Sequence, residues 1–307
     1  MHDGLLVLDK PLGVTSRAVV DTAMRWFPRR TKLGHTGTLD PLATGVLVLC
    51  VGRATRLTEF VQDLPKSYVA EITLGARSAT DDAEGPITPV VCTPSPGFAG
   101  EATGLMEPDR PTIEAALQTF LGTIQQVPPA FSAAKLAGRR SYDLARKGGA
   151  ADLAPRTVRI DRIDIVFFDY PTLRLEIACG KGTYIRSLAR DLGERLGCGA
   201  YVSALRRTRV GPFAAEQAVP LEADPTTAQA RLLEPAAAVT GLPSAVLDEP
   251  DLSRFASGLT VLPGHPTGVT PPADATVAVF DSAGQLRGIG RTGADGRFIR
   301  PVKVFVG

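Results

Sequence analysis

The segment Gly34-His35-Thr36-Gly37-Thr38-Leu39-Asp40-Pro41-Leu42-Ala43-Thr44-Gly45 places a carboxylate and an imidazole on a glycine-rich loop. Glycine adopts backbone angles that other residues avoid, so such a loop can be sharply shaped. Pro41 pushes Asp40 out of the helical region and leaves its carboxylate on extended or turn backbone. The apolar run Val46-Leu47-Val48-Leu49-Cys50-Val51 has the length and branching of a buried strand. Asp40 is therefore presented at the mouth of a core strand, on a scaffold-held loop of the kind that carries catalytic groups. A carboxylate in that position can serve as a nucleophile or as a base. The plain alternative is a connecting turn in which Asp40 and Thr38 bond local backbone.

The elements around the loop follow from apolar periodicity. Leu5 to Leu8 reads as a first strand, and Ser16 as the N-cap of a helix that buries Val19, Val20, Ala23, Met24 and Phe27. A short helix is expected around Arg56 to Val61. From Ser67 to Leu74, Tyr68, Ala70, Ile72 and Leu74 share one face of a strand. The stretch from Asp81 to Gly104 is rich in turn residues and reads as a long loop. Pro111 opens a helix with Ile113, Ala116, Leu117 and Phe120 inward. A short helix is expected from Tyr142 to Lys147, then strands over Val158–Phe168 and Leu173–Ala178. Ile185, Leu188, Ala189, Leu192 and Leu196 form a helical stripe closed by Gly197, and Val202–Arg209 reads as another strand. After Gly211-Pro212 the texture becomes Ala- and Pro-rich, with a helix expected near Gln229 to Ala238. Short β runs follow at Thr276–Phe280, Leu286–Ile289 and Phe298–Phe305.

Composition narrows the function. With 34 Lys and Arg against 32 Asp and Glu, the net charge of +2 announces no polyanionic partner by itself. The distribution is more informative: acids dominate Gln217 to Ala275, while cations cluster at Arg29-Arg30-Thr31-Lys32, Arg139-Arg140 and Arg206-Arg207-Thr208-Arg209. No apolar run approaches the ~18 residues of a membrane span. No secretory segment opens the chain, and the scattered Cys50, Cys92, Cys179 and Cys198 suggest neither a zinc site nor a disulfide framework. A reducing cytoplasm is the expected location.

The Asp40 loop closely resembles the signature of the bacterial tRNA pseudouridine-55 synthases, the TruB family, whose aspartate in this motif is catalytic. Leu8-Asp9-Lys10-Pro11, Lys66-Ser67-Tyr68 with Leu74-Gly75, and Cys179-Gly180-Lys181-Gly182-Thr183-Tyr184-Ile185-Arg186-Ser187-Leu188 resemble further family segments in the same order. The likeness spans roughly residues 4 to 212. It implies an α+β catalytic domain over residues 1–215, with a mostly antiparallel mixed sheet and a central cleft. An RNA-gripping insertion is implied near residues 128–155, a helical connector at 216–240, and a small β-rich, PUA-like RNA-binding domain at 241–307. Two positions depart from the pattern: Phe131 stands where the family commonly has Tyr, and Ala79 where it usually has Asp. Asp82 keeps the pattern's later aspartate.

The resemblance also implies the chemistry. Uridine becomes pseudouridine when the N1–C1′ bond breaks, the uracil turns over and the link re-forms through C5, which requires no cofactor or metal. Asp40 would add to the sugar or take the C2′ proton, and both routes remain open. Burial opposes the charge on Asp40, and Arg186 is the expected cation beside it, in a bidentate fork. The target base must be flipped out of the T loop. Tyr68 and Leu205 would hold it, with Tyr184 also in the substrate site, and His35 would fill the gap left behind. Lys10, Lys66 and the clusters Arg139-Arg140 and Arg206-Arg207 would meet phosphates of the T arm. The enzyme would act as a monomer, without guide RNA or membrane. Two rival readings are an RNA-binding or RNA-folding module without turnover, and a glycoside hydrolase, which needs a second acid near the first.

Overall fold

Alternating burial builds the sheet that carries the site. In the strand Lys66–Leu74, Lys66, Tyr68, Ala70, Ile72 and Leu74 are buried and the residues between them half-buried. The strand Ala43–Val51 is buried almost throughout, as a central strand covered on both faces should be. The computed structural model describes residues 2–92, 107–131, 153–262 and 272–305, with backbone alone at 135–136 and 139–140. The expected helix from Tyr142 to Lys147 and most of the expected insertion lie outside these residues.

The large sheet runs in the order Val219–Pro220, Gly4–Lys10, Ala43–Val51, Ala200–Val210, Lys66–Leu74, Thr172–Cys179, Arg156–Asp169, Gly122–Gln126. All neighbours along this path are antiparallel except two. Gly4–Lys10 is parallel to Val219–Pro220, and Ala43–Val51 is parallel to Ala200–Val210. The mixed, mostly antiparallel sheet expected from the sequence is therefore present. The helices Arg110–Gln118 and Ile185–Leu196 bury Ile113, Leu117, Ile185, Leu188 and Leu192 against Ile72, Leu175 and Ile177. The helix Ser16–Ala23 covers Leu6, Leu8, Leu47 and Leu49.

A second sheet pairs Ser244–Val246, Thr276–Phe280, Leu286–Thr292 and Ile299–Val304. The helix Glu249–Ala256 buries Leu252 and Phe255 beside this sheet. Ala278 and Ile289 of the second sheet share an apolar cluster with Leu5, Val7, Val46 and Val48, so the two sheets are joined by packing.

Several local expectations are corrected. Thr15, not Ser16, caps the first helix, its hydroxyl accepting from the Ala18 amide, and Met24 is 46% exposed because the α-helix ends at Ala23. The run expected as one helix from Gln229 to Ala238 is broken. Pro225–Ala230 is helical and Pro235–Val239 is a 3₁₀ turn, while Leu233 between them pairs its backbone with Leu5. Pro235, which has no amide to donate, favours a new start over continuation. Within the stretch expected as a long loop, Ile87–Pro89 pairs with Ala76–Ser78 as a hairpin. Backbone bonds between Asp81, Ala83 and Val202 tie the hairpin's turn to the central sheet.

Candidate active site

The Asp40 loop is fixed from below by two side chains. Ser16 donates its hydroxyl to the Leu39 carbonyl at 2.9 Å and accepts from the Leu39 amide at 2.8 Å. Lys10, expected among the phosphate contacts, is instead fully buried. Its ammonium donates to the carbonyls of Pro11 (2.9 Å), Val14 (2.6 Å) and Pro41 (3.2 Å), which uses all three of its protons. Burial holds Lys10 down to about 8, with Asp40 pulling the other way. The lysine therefore clamps the loop and has no proton left for RNA.

Arg186 is the second residue of the helix Ile185–Leu196, and its side chain is only 6% exposed. One guanidinium nitrogen, Nη2, lies 2.9 Å from Asp40 Oδ2 and also donates to the Phe131 carbonyl at 3.0 Å. The other, Nη1, donates to Asp82 Oδ2 at 3.1 Å and to the Thr80 carbonyl at 3.0 Å. The fork expected on Asp40 alone is thus divided between two carboxylates. Asp82 is buried and also accepts from Thr80 Oγ1 (2.5 Å) and the Glu84 amide (3.1 Å), so it is held as a structural counter-ion. The sequence contained this aspartate but did not reveal its place beside Arg186.

Burial raises the Asp40 carboxyl above its ordinary range; Arg186, the largest opposing influence, and Lys10 act downward, while Asp82 adds to the rise. The guanidinium of Arg186 lies in direct contact with the Asp40 carboxylate, so it is the group that favours a charged Asp40.

Asp40 opens onto a cavity of about 470 Å³, within the size range of small-ligand sites. Arg186, Tyr68, Tyr184, Leu205 and Lys66 line it together with Arg207. Tyr68 is 9% exposed, and burial pushes its phenol up against the opposing influence of Arg207. Leu205 reaches the wall because its strand runs beside Ala43 in parallel register. Lys66 lies at the wall but donates to the Gln62 and Leu64 carbonyls, and burial, with Arg207 next, brings it down to about 8.

Other expected site residues are placed elsewhere. His35 sits opposite Leu49 in a short strand and does not line the cavity. Arg206 forms a two-armed pair with Asp9 at 3.0 and 2.8 Å. Arg207, grouped with it as a phosphate contact, is 3% exposed and donates to the carbonyls of Val46 (2.7 Å) and Gly37 (3.2 Å). Gly45, at φ +97°, permits this approach, because a side chain there would run into the Arg207 carbonyl. The side chain of Arg139 lies outside the described residues. Among the described residues, no group of three or more His, Cys, Asp and Glu side chains is arranged to hold a metal ion.

Residues 25–185 match the TruB family pseudouridylate synthase N-terminal domain, and residues 186–225 match the tRNA pseudouridylate synthase B C-terminal domain. The chain belongs to the TruB family of pseudouridylate synthases. A protein named tRNA pseudouridine synthase B from Xanthomonas euvesicatoria is 42% identical over 99% of this chain and 94% of its own length. One of the same name from Pseudomonas fluorescens is 41% identical over 96% of this chain and 93% of its own.

Among solved structures, a chain from an H/ACA RNP bound to a substrate RNA containing 2'-deoxyuridine superposes with TM-score 0.73 at 23% identity. That likeness covers 99% of this chain and 85% of the other, and it is one of fold. A chain from a Cbf5-Nop10-Gar1 complex superposes with TM-score 0.71 at 25% identity, over the same shares. This TruB-family chain therefore has the pseudouridylate-synthase fold, and it is an isomerase by family.

Proposed function

We propose that this chain converts uridine to pseudouridine at position 55 in the T loop of tRNA, using Asp40 on a flipped-out nucleoside. The observation that carries the reading is the 2.9 Å contact between Asp40 and a buried Arg186 on the wall of a nucleoside-sized cavity. The names of its relatives, tRNA pseudouridine synthase B, support the tRNA substrate.

In this mechanism Asp40 attacks C1′ or removes the C2′ proton as the N1–C1′ bond breaks. The freed uracil turns over and C5 bonds to C1′, which releases Asp40 or restores the C2′ proton, while C5 gives up its proton and N1 gains one. Arg186 favours the charged form of Asp40, whose side chain is 36% exposed to the cavity, and the bound nucleoside would exclude water from the pair. Tyr68 packs on the extruded base and Leu205 closes against it, which offsets the few kcal/mol of lost stacking. Tyr184 completes the wall. His35 would act only at the loop's outer rim, filling the space the base vacates. The exposed cluster of Arg29, Arg30 and Lys32 would add salt-sensitive, sequence-blind affinity.

Residues 1–215 would form the catalytic domain with an RNA-gripping insertion near 128–155. Residues 216–240 would connect it to a PUA-like RNA-holding domain at 241–307. The protein would act in the cytoplasm as a monomer without guide RNA. The rival reading as a pure RNA-folding module is disfavoured by the assembled Asp40–Arg186 pair. A two-carboxylate hydrolase is disfavoured because Asp82, the second acid, is buried and held by Arg186, Thr80 and the Glu84 amide.

Incubation with an unmodified tRNA transcript, followed by pseudouridine mapping, tests the assignment. Product at the T-loop uridine that vanishes in Asp40→Asn, with tRNA binding retained, is the expected result. Product at another position would move the substrate, and no product from the native protein would refute the assignment.

A further inference from the structure

The helix that carries Arg186 begins without help from its own sequence. Tyr184 occupies the N-cap position and supplies no side-chain cap. The first amides of any helix lack intrahelical partners, and an unheld end frays. Here the partner comes from a different element. Gln126, the last residue of the edge strand Gly122–Gln126, is 2% exposed. Its side-chain Oε1 accepts from the Tyr184 backbone amide at 2.8 Å, and its side-chain Nε2 donates to the Tyr184 carbonyl at 3.1 Å.

In a capping box, a Glu or Gln in the third helical position reaches back to the N-cap amide. In this chain that third position is Ser187, which is buried and donates to the Val127 carbonyl at 2.8 Å instead of reaching back. Arg190, one turn further on, donates to the same carbonyl at 2.9 Å. Residues 126–131 therefore wrap the opening turns of the helix, and the Phe131 carbonyl takes a bond from Arg186 itself. Arg186 is two residues beyond Tyr184, so the backbone that Gln126 grips is the base from which the guanidinium reaches Asp40.

We propose that Gln126 is a positioning residue for Arg186 and Tyr184, holding the start of the helix at the setting that keeps the guanidinium on Asp40. The inference rests on the reading of Asp40 and Arg186 given above. A methionine in its place fills similar space with no donor and only a weak acceptor. Tyr184 then loses both of its bonds to Gln126, and of the bonds to this segment the helix start keeps those to Val127 and Phe131. Misplacement by about an ångström costs on the order of 100-fold in rate.

Arg186, Asp82, Lys10 and Tyr68 are the charged and titratable groups that face Asp40, with Glu84 beyond them. Of these, only Arg186 stands on the element that Gln126 holds. Releasing it removes a downward influence and moves the Asp40 titration up in pH.

The test compares native protein with Gln126→Met, Gln126→Glu and Arg186→Lys. Three quantities are measured: single-turnover pseudouridine formation on an unmodified tRNA transcript, tRNA affinity, and the pH titration of the ¹³C-labelled Asp40 carboxyl. In Gln126→Met the rate should fall on the order of 10- to 100-fold and affinity should change by no more than about twofold. Its Asp40 midpoint should move upward. Gln126→Glu keeps the acceptor for the Tyr184 amide and should show a smaller change in the same direction, which serves as the test if Gln126→Met does not fold. Combined with Arg186→Lys, Gln126→Met should add little, because both act through one group.

An unmoved Asp40 midpoint, or rate losses that multiply in the double variant, would overturn the proposal. If the native protein forms no pseudouridine, the functional reading fails instead. The carboxyl titration, which needs no RNA, still decides the role of Gln126.

Discussion

Two groups of cations stand toward opposite ends of the strand Ala43–Val51, roughly 20 Å apart by strand geometry, since Lys10 and Arg207 lie opposite Gly45 and Leu33 lies opposite Val51. At the Asp40 end, Lys10, Lys66 and Arg207 are buried, and their hydrogens go to backbone carbonyls. At the other end, Arg29, Arg30 and Lys32 are exposed and line an open cavity of about 500 Å³. In the sequence all six are simply basic residues near a nucleic-acid motif. In the fold the first set builds the loop, and the second faces solvent, where phosphate can reach it. A cation beside a tight, carbonyl-rich loop has unpaired acceptors to satisfy, and satisfying them outweighs staying in water.

Substitutions at the two ends should therefore fail in different ways. The largest effect is expected in the catalytic group itself. Arg186→Lys keeps a charge but loses the planar fork that spans Asp40 and Asp82, and turnover should fall on the order of 100-fold or more. tRNA binding should stay near normal; unchanged single-turnover rates would remove Arg186 from the site.

Lys10→Met comes next. It leaves the carbonyls of Pro11, Val14 and Pro41 without their partner, at about 1–3 kcal/mol for a buried group left unsatisfied. Denaturant unfolding should show that loss and turnover should drop, while the dependence of tRNA affinity on salt stays as in the native protein. A shallower salt dependence would mean that Lys10 meets phosphate after all.

The same lysine sets a pH dependence of stability. Its folded value of about 8 lies below the ordinary 10.5, so between these two values the unfolded chain binds more protons. Stability should rise with pH across that window, and Lys66, also near 8, contributes in the same direction. Lys10→Met should flatten the rise in unfolding free energy, and an unchanged slope would assign the effect to Lys66 alone.

The smallest effects belong to the far end. Replacing Arg29, Arg30 or Lys32 with Ala should weaken tRNA binding and reduce the salt slope by about 1 for each phosphate no longer neutralised, with the rate on bound tRNA intact. If these variants leave affinity and its salt dependence unchanged, the contrast between the two ends does not extend to RNA.

Much of this arrangement was legible in the sequence. Period-two alternation fixed the face on which Tyr68 lies, and the helical stripe from Ile185 to Leu196, ending at Gly197, located the helix that carries Arg186. The Asp40 loop was recognisable by its glycines and Asp-Pro. What could not be read depends on partners distant in the chain. Asp82 reaches Arg186 only because its turn is tied to Val202, and Gln126 meets Tyr184 across the edge of the sheet. Ser16 looked like a helix cap because its type and place suit one, but Thr15 takes that role and Ser16 holds Leu39. Local pattern reports which residues face inward, and it does not report what they meet there.

The central claim is that Asp40 reacts as a carboxylate kept charged by Arg186. Its sharpest test follows the ¹³C signal of the Asp40 carboxyl and the single-turnover rate together across acid pH. The two should rise with one midpoint, above the ordinary aspartate value because burial raises it, and Arg186→Gln should carry both upward. A rate that stays high where Asp40 is protonated would contradict the account.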